Sequence, residues 1–190
     1  SAAVVVDTAR GSERFDEVVL ACHADQSLAL LADSSSAERQ VLGAIRYHPN
    51  RAVLHTDTSV LPTRRLAWAA WNYERAADAD AEGRGVCLHY WINRLQPLPW
   101  DRPVIVSLNP ARPIDPARTI ASFDYEHPIF DRHAIAAQGR VHEIQGRSHV
   151  WYCGAWTRYG FHEDGLTSGL AAARALLSRW QAAPAEPEAA

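Results

Sequence analysis

The stretch richest in chemical possibility is residues 150–174, Val-Trp-Tyr-Cys-Gly-Ala-Trp-Thr-Arg-Tyr-Gly-Phe-His-Glu-Asp-Gly-Leu-Thr-Ser-Gly-Leu-Ala-Ala-Ala-Arg. Glycines fall at 154, 160, 165 and 169. They mark the exit of an apolar run, the inside of a polar-aromatic loop, the start of an alanine- and leucine-rich helix, and a point one turn into it. Glycine is used where backbone comes close to something else. A helix N-terminus presents unpaired N–H groups and a positive dipole end, which suit a group that carries or develops negative charge. An ordinary strand–loop–helix that uses Gly165 and Gly169 for close packing explains the same pattern.

Other reactive side chains offer less. Nine histidines invite a metal reading, but none forms His-x-x-x-His or His-Glu-x-x-His, and His162-Glu163-Asp164 stands at a helix start where acids are favoured anyway, so no metal site is expected. Cys22-His23 are adjacent on a strand and point to opposite faces, which rules them out as nucleophile and base. Ser168 follows the beginning of the helix instead of sitting on the strand-to-helix turn, so it is not a nucleophile elbow. The aromatic set Trp68, Trp71, Tyr73, Tyr90 and Trp91 either lines a substrate cavity or packs across strands. Trp71, Asn72 and Tyr90 are its cavity candidates. No single general base stands out, which suits chemistry done by a cofactor while the protein orients and excludes water.

These residues need elements to position them. Residues 4–8 and 15–22 read as strands joined by a polar turn around Gly11, and the wholly apolar Val18-Val19-Leu20-Ala21-Cys22 reads as a strand covered on both faces. Residues 25–32 and 36–47 read as helices, the second with Ser36 as N-cap and Val41, Leu42 and Ile45 at helical spacing. From 52 to 130, runs at 52–55, 66–73, 85–92 and 104–107, separated by polar, Gly- or Pro-bearing stretches, read as an antiparallel sheet. Eight prolines from Pro49 to Pro116 argue against long helices there. Residues 76–82 read as a solvated acidic loop and 132–138 as a helix. Residues 148–153 form a strand and 165–180 the last helix, followed by a frayed tail.

The composition, 190 residues, 47% hydrophobic and 22% charged, allows a sizeable core. A net charge of −3 with no Lys/Arg run gives no electrostatic case for nucleic acid. Cys22, Cys87 and Cys153 lack disulfide or zinc spacing, which favours a cytoplasmic compartment. No apolar run approaches the roughly 20 residues that span a bilayer, so no transmembrane segment is expected. There is no methionine, and the chain opens inside a β-type run, so it reads as a fragment or processed form.

Residues 150–174 resemble the C-terminal flavin motif of the flavin amine-oxidase superfamily, in which a strand ending in a small residue and Gly leads to an acidic-Gly-small helix start and then Ser-Gly. Cys153-Gly154 matches the first part; Asp164-Gly165-Leu166 and Ser168-Gly169 match the second. Gly-Ala-Trp with Gly-Phe-His-Glu-Asp-Gly-Leu is similar to a bacterial subgroup of predicted NAD/FAD-binding proteins. Phe15-Asp16-Glu17-Val18-Val19-Leu20-Ala21 resembles the strand that returns the chain to the FAD lobe. Tyr90-Trp91-Ile92-Asn93-Arg94-Leu95-Gln96 and His127-Pro128-Ile129-Phe130 extend the likeness over most of residues 4–180.

The resemblance implies an α/β (mixed α+β) fold: part of an FAD-binding lobe from residues 1–35 and 146–182, an antiparallel-sheet substrate lobe at 36–145, and a disordered tail at 183–190. It implies FAD held by Ala21, Cys22, Gly154, Ala155, Asp164, Gly165, Leu166, Ser168 and Gly169, with the helix start facing the N1–C2 carbonyl edge that becomes negative on reduction. Many relatives place an acidic residue after the strand-end glycine, where this chain has Ala155. The fingerprint Gly-x-Gly-x-x-Gly is missing, and Gly83-Arg-Gly85-Val-Cys-Leu88 precedes a strand and reads as a hairpin turn. An N-terminal dinucleotide-binding segment is therefore expected outside the sequence. The implied reaction is hydride transfer from a C–N or C–C bond of a small-molecule or lipid substrate to flavin. The subgroup's link with modified fatty acids sets lipid desaturation beside amine oxidation, and an inactive antiparallel β binding module is the third reading.

Overall fold

The computed structural model describes residues 3–75 and 86–182. In chain order the elements are β1 (Val4–Thr8), β2 (Gly11–Phe15), β3 (Val18–Leu20), α1 (Ala24–Leu30), α2 (Ser36–Leu42), β4 (Tyr47–His55), β5 (Trp71–Arg75), β6 (Val86–Trp91), α3 (Ile92–Leu95), β7 (Ile105–Leu108), β8 (Thr119–Pro128), α4 (Arg132–Gln138), β9 (Val150–Tyr152) and α5 (His162–Ala182). Helices together with an antiparallel sheet make this a mixed α/β fold, as expected. The acidic loop at 76–82, the turn at 83–85 and the tail at 183–190 lie outside the described residues. No helix among the described residues is long and apolar enough to cross a membrane.

Contacts divide the chain into two units, Ser1–Tyr47 with Pro128–Ala190, and His48–His127. The boundaries differ from the expected 36 and 145 because α2 and α4 belong to the first core. Val41, Leu42 and Ile45 close on Ala134, Ala137 and Ile144, with Tyr152 and Trp156 completing the cluster. An amphipathic helix goes where its apolar stripe is covered. The cap of α2 is Ser35 rather than Ser36: its hydroxyl accepts the Glu38 N–H at 3.2 Å, and Glu38 accepts the Ser35 N–H at 2.7 Å. The other Glu38 oxygen takes the Tyr152 hydroxyl at 2.6 Å. Helix α2 ends at Leu42, short of the expected 47, because Gly43 caps it and the chain turns into β4.

Two expectations about strands are corrected. The hairpin partner of β1 is the polar β2, from Val4 opposite Phe15 to Thr8 opposite Gly11. Residues 15–22 are therefore not one strand. Their central part, β3, pairs in parallel with β9, Val18 opposite Val150 and Leu20 opposite Tyr152. Nor is β3 covered on both faces, for Val19 is 46% exposed.

The second unit is built on a five-stranded sheet in the order β5-β6-β7-β4-β8. Neighbouring pairs β5/β6, β6/β7 and β4/β7 are antiparallel. Residues 66–70 do not join β5, because Arg65–Ala67 form a 3-10 turn that ends at Trp68. The ten-residue strand β8 is an element for which no run was proposed. One face of this sheet is polar yet closed to solvent: Asn72, Cys87, His89, Ser107 and His55 are all buried.

Candidate functional site

All nine residues expected at a cofactor lie in the first unit, and the parallel pair brings most of them together. Cys153 donates its N–H to Leu20 O at 3.0 Å. This extends the β3/β9 register so that Ala21-Cys22 and Cys153-Gly154 leave the pair side by side. In open parallel sheets ligands sit beyond the carboxyl ends of strands, followed by a helix start. Gly154 leads through the 3-10 turn Ala155–Thr157 to α5.

Gly154 has φ +152°, and an added Cβ would lie 2.6 Å from the Trp156 indole nitrogen. That nitrogen donates to Cys22 O at 3.2 Å, so Trp156 forms the floor between the two strand ends. Ser168 ties α5 to the same point: its hydroxyl accepts the Gly154 N–H at 2.9 Å and lies 2.9 Å from Gly165 O. Gly165 packs on Ala155, with 3.8 Å from a built Cβ to Ala155 N. At Gly169 a built Cβ meets nothing within 4 Å, so this glycine faces open space. Leu166 is 57% exposed.

Asp164 has a different job from the one expected. Helix α5 begins at His162, three residues before the expected start. This places Asp164 at the third helical position, where its carboxylate accepts the N–H groups of Phe161 at 3.0 Å and Tyr159 at 3.2 Å. Its own N–H and that of Gly165 close on Phe161 O at 3.0 and 3.2 Å. The expectation that these two amides face a ligand is therefore corrected. Among the described residues, the first-turn N–H groups without an acceptor are those of His162 and Glu163.

Two contributors escaped the sequence reading. Trp156 entered the sequence reading only as part of the Gly-Ala-Trp string, with no role of its own. His23, next to Cys22, stacks on Tyr47 at 4.4 Å, and its buried Nδ1 has no hydrogen-bond partner among the described residues.

In the second unit, Trp71 and Tyr90 are a cross-strand pair with ring centroids 5.2 Å apart at 75°. Trp68 and Trp91 meet edge-on at 5.3 Å. Asn72 points to the buried face, where its amide bonds the Ala69 N–H at 3.0 Å, Ala69 O at 2.7 Å and His89 O at 3.3 Å. An open cavity of this unit, about 790 Å³, lies elsewhere, walled by Arg51, Val53, Asn109, Pro110, Arg112 and Ile114 among others. Neither Trp71, Asn72 nor Tyr90 lines it.

No protein-family model matches the chain, and no curated protein matches it in sequence. Among the solved structures that share its fold are two chains of more than twice the matched length. A provisionally assigned protoporphyrinogen oxidase from Exiguobacterium sp. 255-15 superposes with a TM-score of 0.58 at 13% identity, covering 94% of this chain and 45% of its own. A fatty acid isomerase from P. acnes that produces CLA does so with a TM-score of 0.58 at 15% identity, covering 95% of this chain and 45% of its own. The chain thus spans under half the length of either. At these identities the likeness is one of fold.

Proposed function

We propose that the chain is part of an FAD-dependent oxidoreductase, with the isoalloxazine end of the cofactor placed beyond the ends of β3 and β9. The observation that carries this is the convergence of Cys22, Gly154, Ala155, Gly165 and Ser168 at the carboxyl ends of the parallel pair. The residues fit a flat group there. Gly169 opens to space, and His23 Nδ1 is a buried polar atom without a hydrogen-bond partner among the described residues. The N–H groups of His162 and Glu163, at the positive end of a 21-residue helix, would hold the pyrimidine edge. A bound flavin supplies a two-electron acceptor for hydride. The chain's part is to orient the ring, stabilise negative charge at its edge and keep water away.

These 190 residues contain no Gly-x-Gly-x-x-Gly, so the adenylate half needs a dinucleotide-binding segment from outside them. On the substrate, one observation favours an anionic lipid over an amine: the residues lining the cavity include Arg51 and Arg112, the latter paired with Glu74 at 3.3 Å, and no carboxylate of their own. A guanidinium beside apolar walls suits a fatty acid head and chain.

The test is a fluorescence titration of the purified chain with riboflavin, FMN and FAD. If the chain holds only the isoalloxazine end, the three bind with affinities within about tenfold, a spread of about 1.4 kcal/mol. Binding of none of them overturns the reading. A strong preference for FAD would show instead that the adenylate half is held here too.

A further inference from the structure

Strand pairing in the second unit brings three metal-ligating side chains to one spot. Glu74 on β5 stands directly opposite Cys87 on β6, and His89 lies two residues further along the same face. His89 Nε2 is 3.0 Å from Glu74 Oε2 and 3.4 Å from Cys87 Sγ. All three ligand atoms lie within 4.8 Å of one another. Cys87 and His89 are 0% and 1% exposed.

The surrounding hydrogen bonds run in one direction. The Asp57 N–H donates to His55 Nδ1 at 3.1 Å, so His55 Nδ1 carries no proton. Burial, the largest influence on His55, lowers its pKa, and nearby His89 adds to this against the opposing pull of Asp57, so the ring is neutral with its proton on Nε2. That N–H meets Ser107 Oγ at 2.7 Å, and Ser107 Oγ is 2.6 Å from His89 Nδ1. The Ser107 hydroxyl proton then goes to His89 Nδ1, which leaves the His89 proton on Nε2. There a single N–H faces two acceptors, the Glu74 carboxylate and the Cys87 sulfur.

The geometry points to a site for a zinc-class divalent cation held by Glu74, Cys87 and His89. Ligands at about 2.0–2.3 Å from a tetrahedral zinc sit roughly 3.3–3.6 Å apart, close to the two separations found here. A thiolate and a carboxylate cancel the charge of the cation, which suits a site this deeply placed. The outer contacts are in place as well. Ser107 steadies the far side of His89, and Arg112 Nη2 lies 3.3 Å from Glu74 Oε1, the oxygen turned away from His89. Three protein ligands leave a fourth position for water. Loading the site removes the Cys87 thiol proton and moves the His89 proton from Nε2 to Nδ1. Ser107 then accepts from both imidazoles with its two lone pairs. The three residues sit on two strands with no local ligand motif, which is why the sequence suggested no metal site.

The experiment uses the full chain, stripped with chelator and titrated with Zn²⁺ and Co²⁺. One equivalent should bind, with release of one proton and, for Co²⁺, a thiolate charge-transfer band beside the intense visible bands of tetrahedral cobalt. Cys87→Ser should abolish the charge-transfer band and lower affinity at least about 100-fold, and Ser107→Ala should lower it about 10- to 100-fold with all ligands present. Absence of saturable one-to-one binding, or a Co²⁺ spectrum without thiolate character, overturns the proposal. So does affinity unchanged in a folded Cys87→Ser. If circular dichroism shows that this variant fails to fold, the unaltered chain's Co²⁺ spectrum and the Ser107→Ala titration decide.

Discussion

Glycine at 169 separates packing from binding more sharply than any other residue of the candidate site. A methyl group there meets no protein atom within 4 Å, and alanine is preferred over glycine inside a helix by up to about 1 kcal/mol. Gly169→Ala should therefore raise the stability of the chain by about 0.5–1 kcal/mol in urea denaturation. If the flavin ring lies against that turn, the same change should weaken riboflavin binding about tenfold, worth about 1.4 kcal/mol. Unchanged affinity with raised stability would move the ring elsewhere. Gly154 offers no such separation, because its positive φ and the Trp156 ring forbid a side chain on structural grounds alone. Both glycines were legible as close-approach positions. What was not legible was the inward turn of Asp164, because three residues of helix precede Gly165 and a capping carboxylate reads in sequence like a ligand-facing one.

At the scale of elements, caps decide more than propensities. Asp131 accepts the N–H groups of His133 and Ala134, both at 2.9 Å, and pairs with Arg46 at 2.8 Å. The Ala134 N–H first, then Arg46, bring its pKa from 3.8 to about 2. A lowered carboxylate pKa stabilises the fold above the ordinary value, and that contribution disappears as pH falls through the folded value. The melting temperature should thus decline between pH 4 and pH 2, and Asp131→Asn, which keeps a capping oxygen, should flatten part of the decline. An unchanged slope in the variant would remove Asp131 from the account. Helix α4 has the bounds expected of it, Arg132–Gln138, with Asp131 as its cap. Strand β2 was missed as a strand because Gly-Ser-Glu-Arg-Phe is exposed throughout and shows no alternation of apolar residues. In β8, too, seven of the ten residues are exposed and none is fully buried, and exposed Phe123 and Tyr125 stack on each other at 6.0 Å.

For the whole molecule, the first unit is discontinuous in sequence but continuous at the point of interruption. Ile129 donates its N–H to Arg46 O at 2.8 Å, so the chain leaves and re-enters this unit at neighbouring residues. Replacing residues 48–127 with a short Gly/Ser linker should leave a folded unit with the riboflavin affinity of the full chain, because every proposed cofactor contact lies outside the excised stretch. Circular dichroism and the same titration check this; loss of binding in a folded product would mean that the sheet unit supplies contacts. The two-part organisation was legible from the change from helical spacing to short β runs. Its boundaries were not, since the residues that join α2 to α4 in one core are some ninety positions apart, a separation no local pattern records.

The parallel pair has a further consequence. In this two-stranded sheet β3 has a neighbour on one side and an outer rim on the other, whereas the outer side of β9 is already bonded by Gln145, Gly146 and Arg147. Such rims are adhesive toward any extended backbone that arrives. The edge open to a further strand is therefore also the one by which stray copies would clump, and solubility at high concentration becomes a gauge of whether that rim is covered.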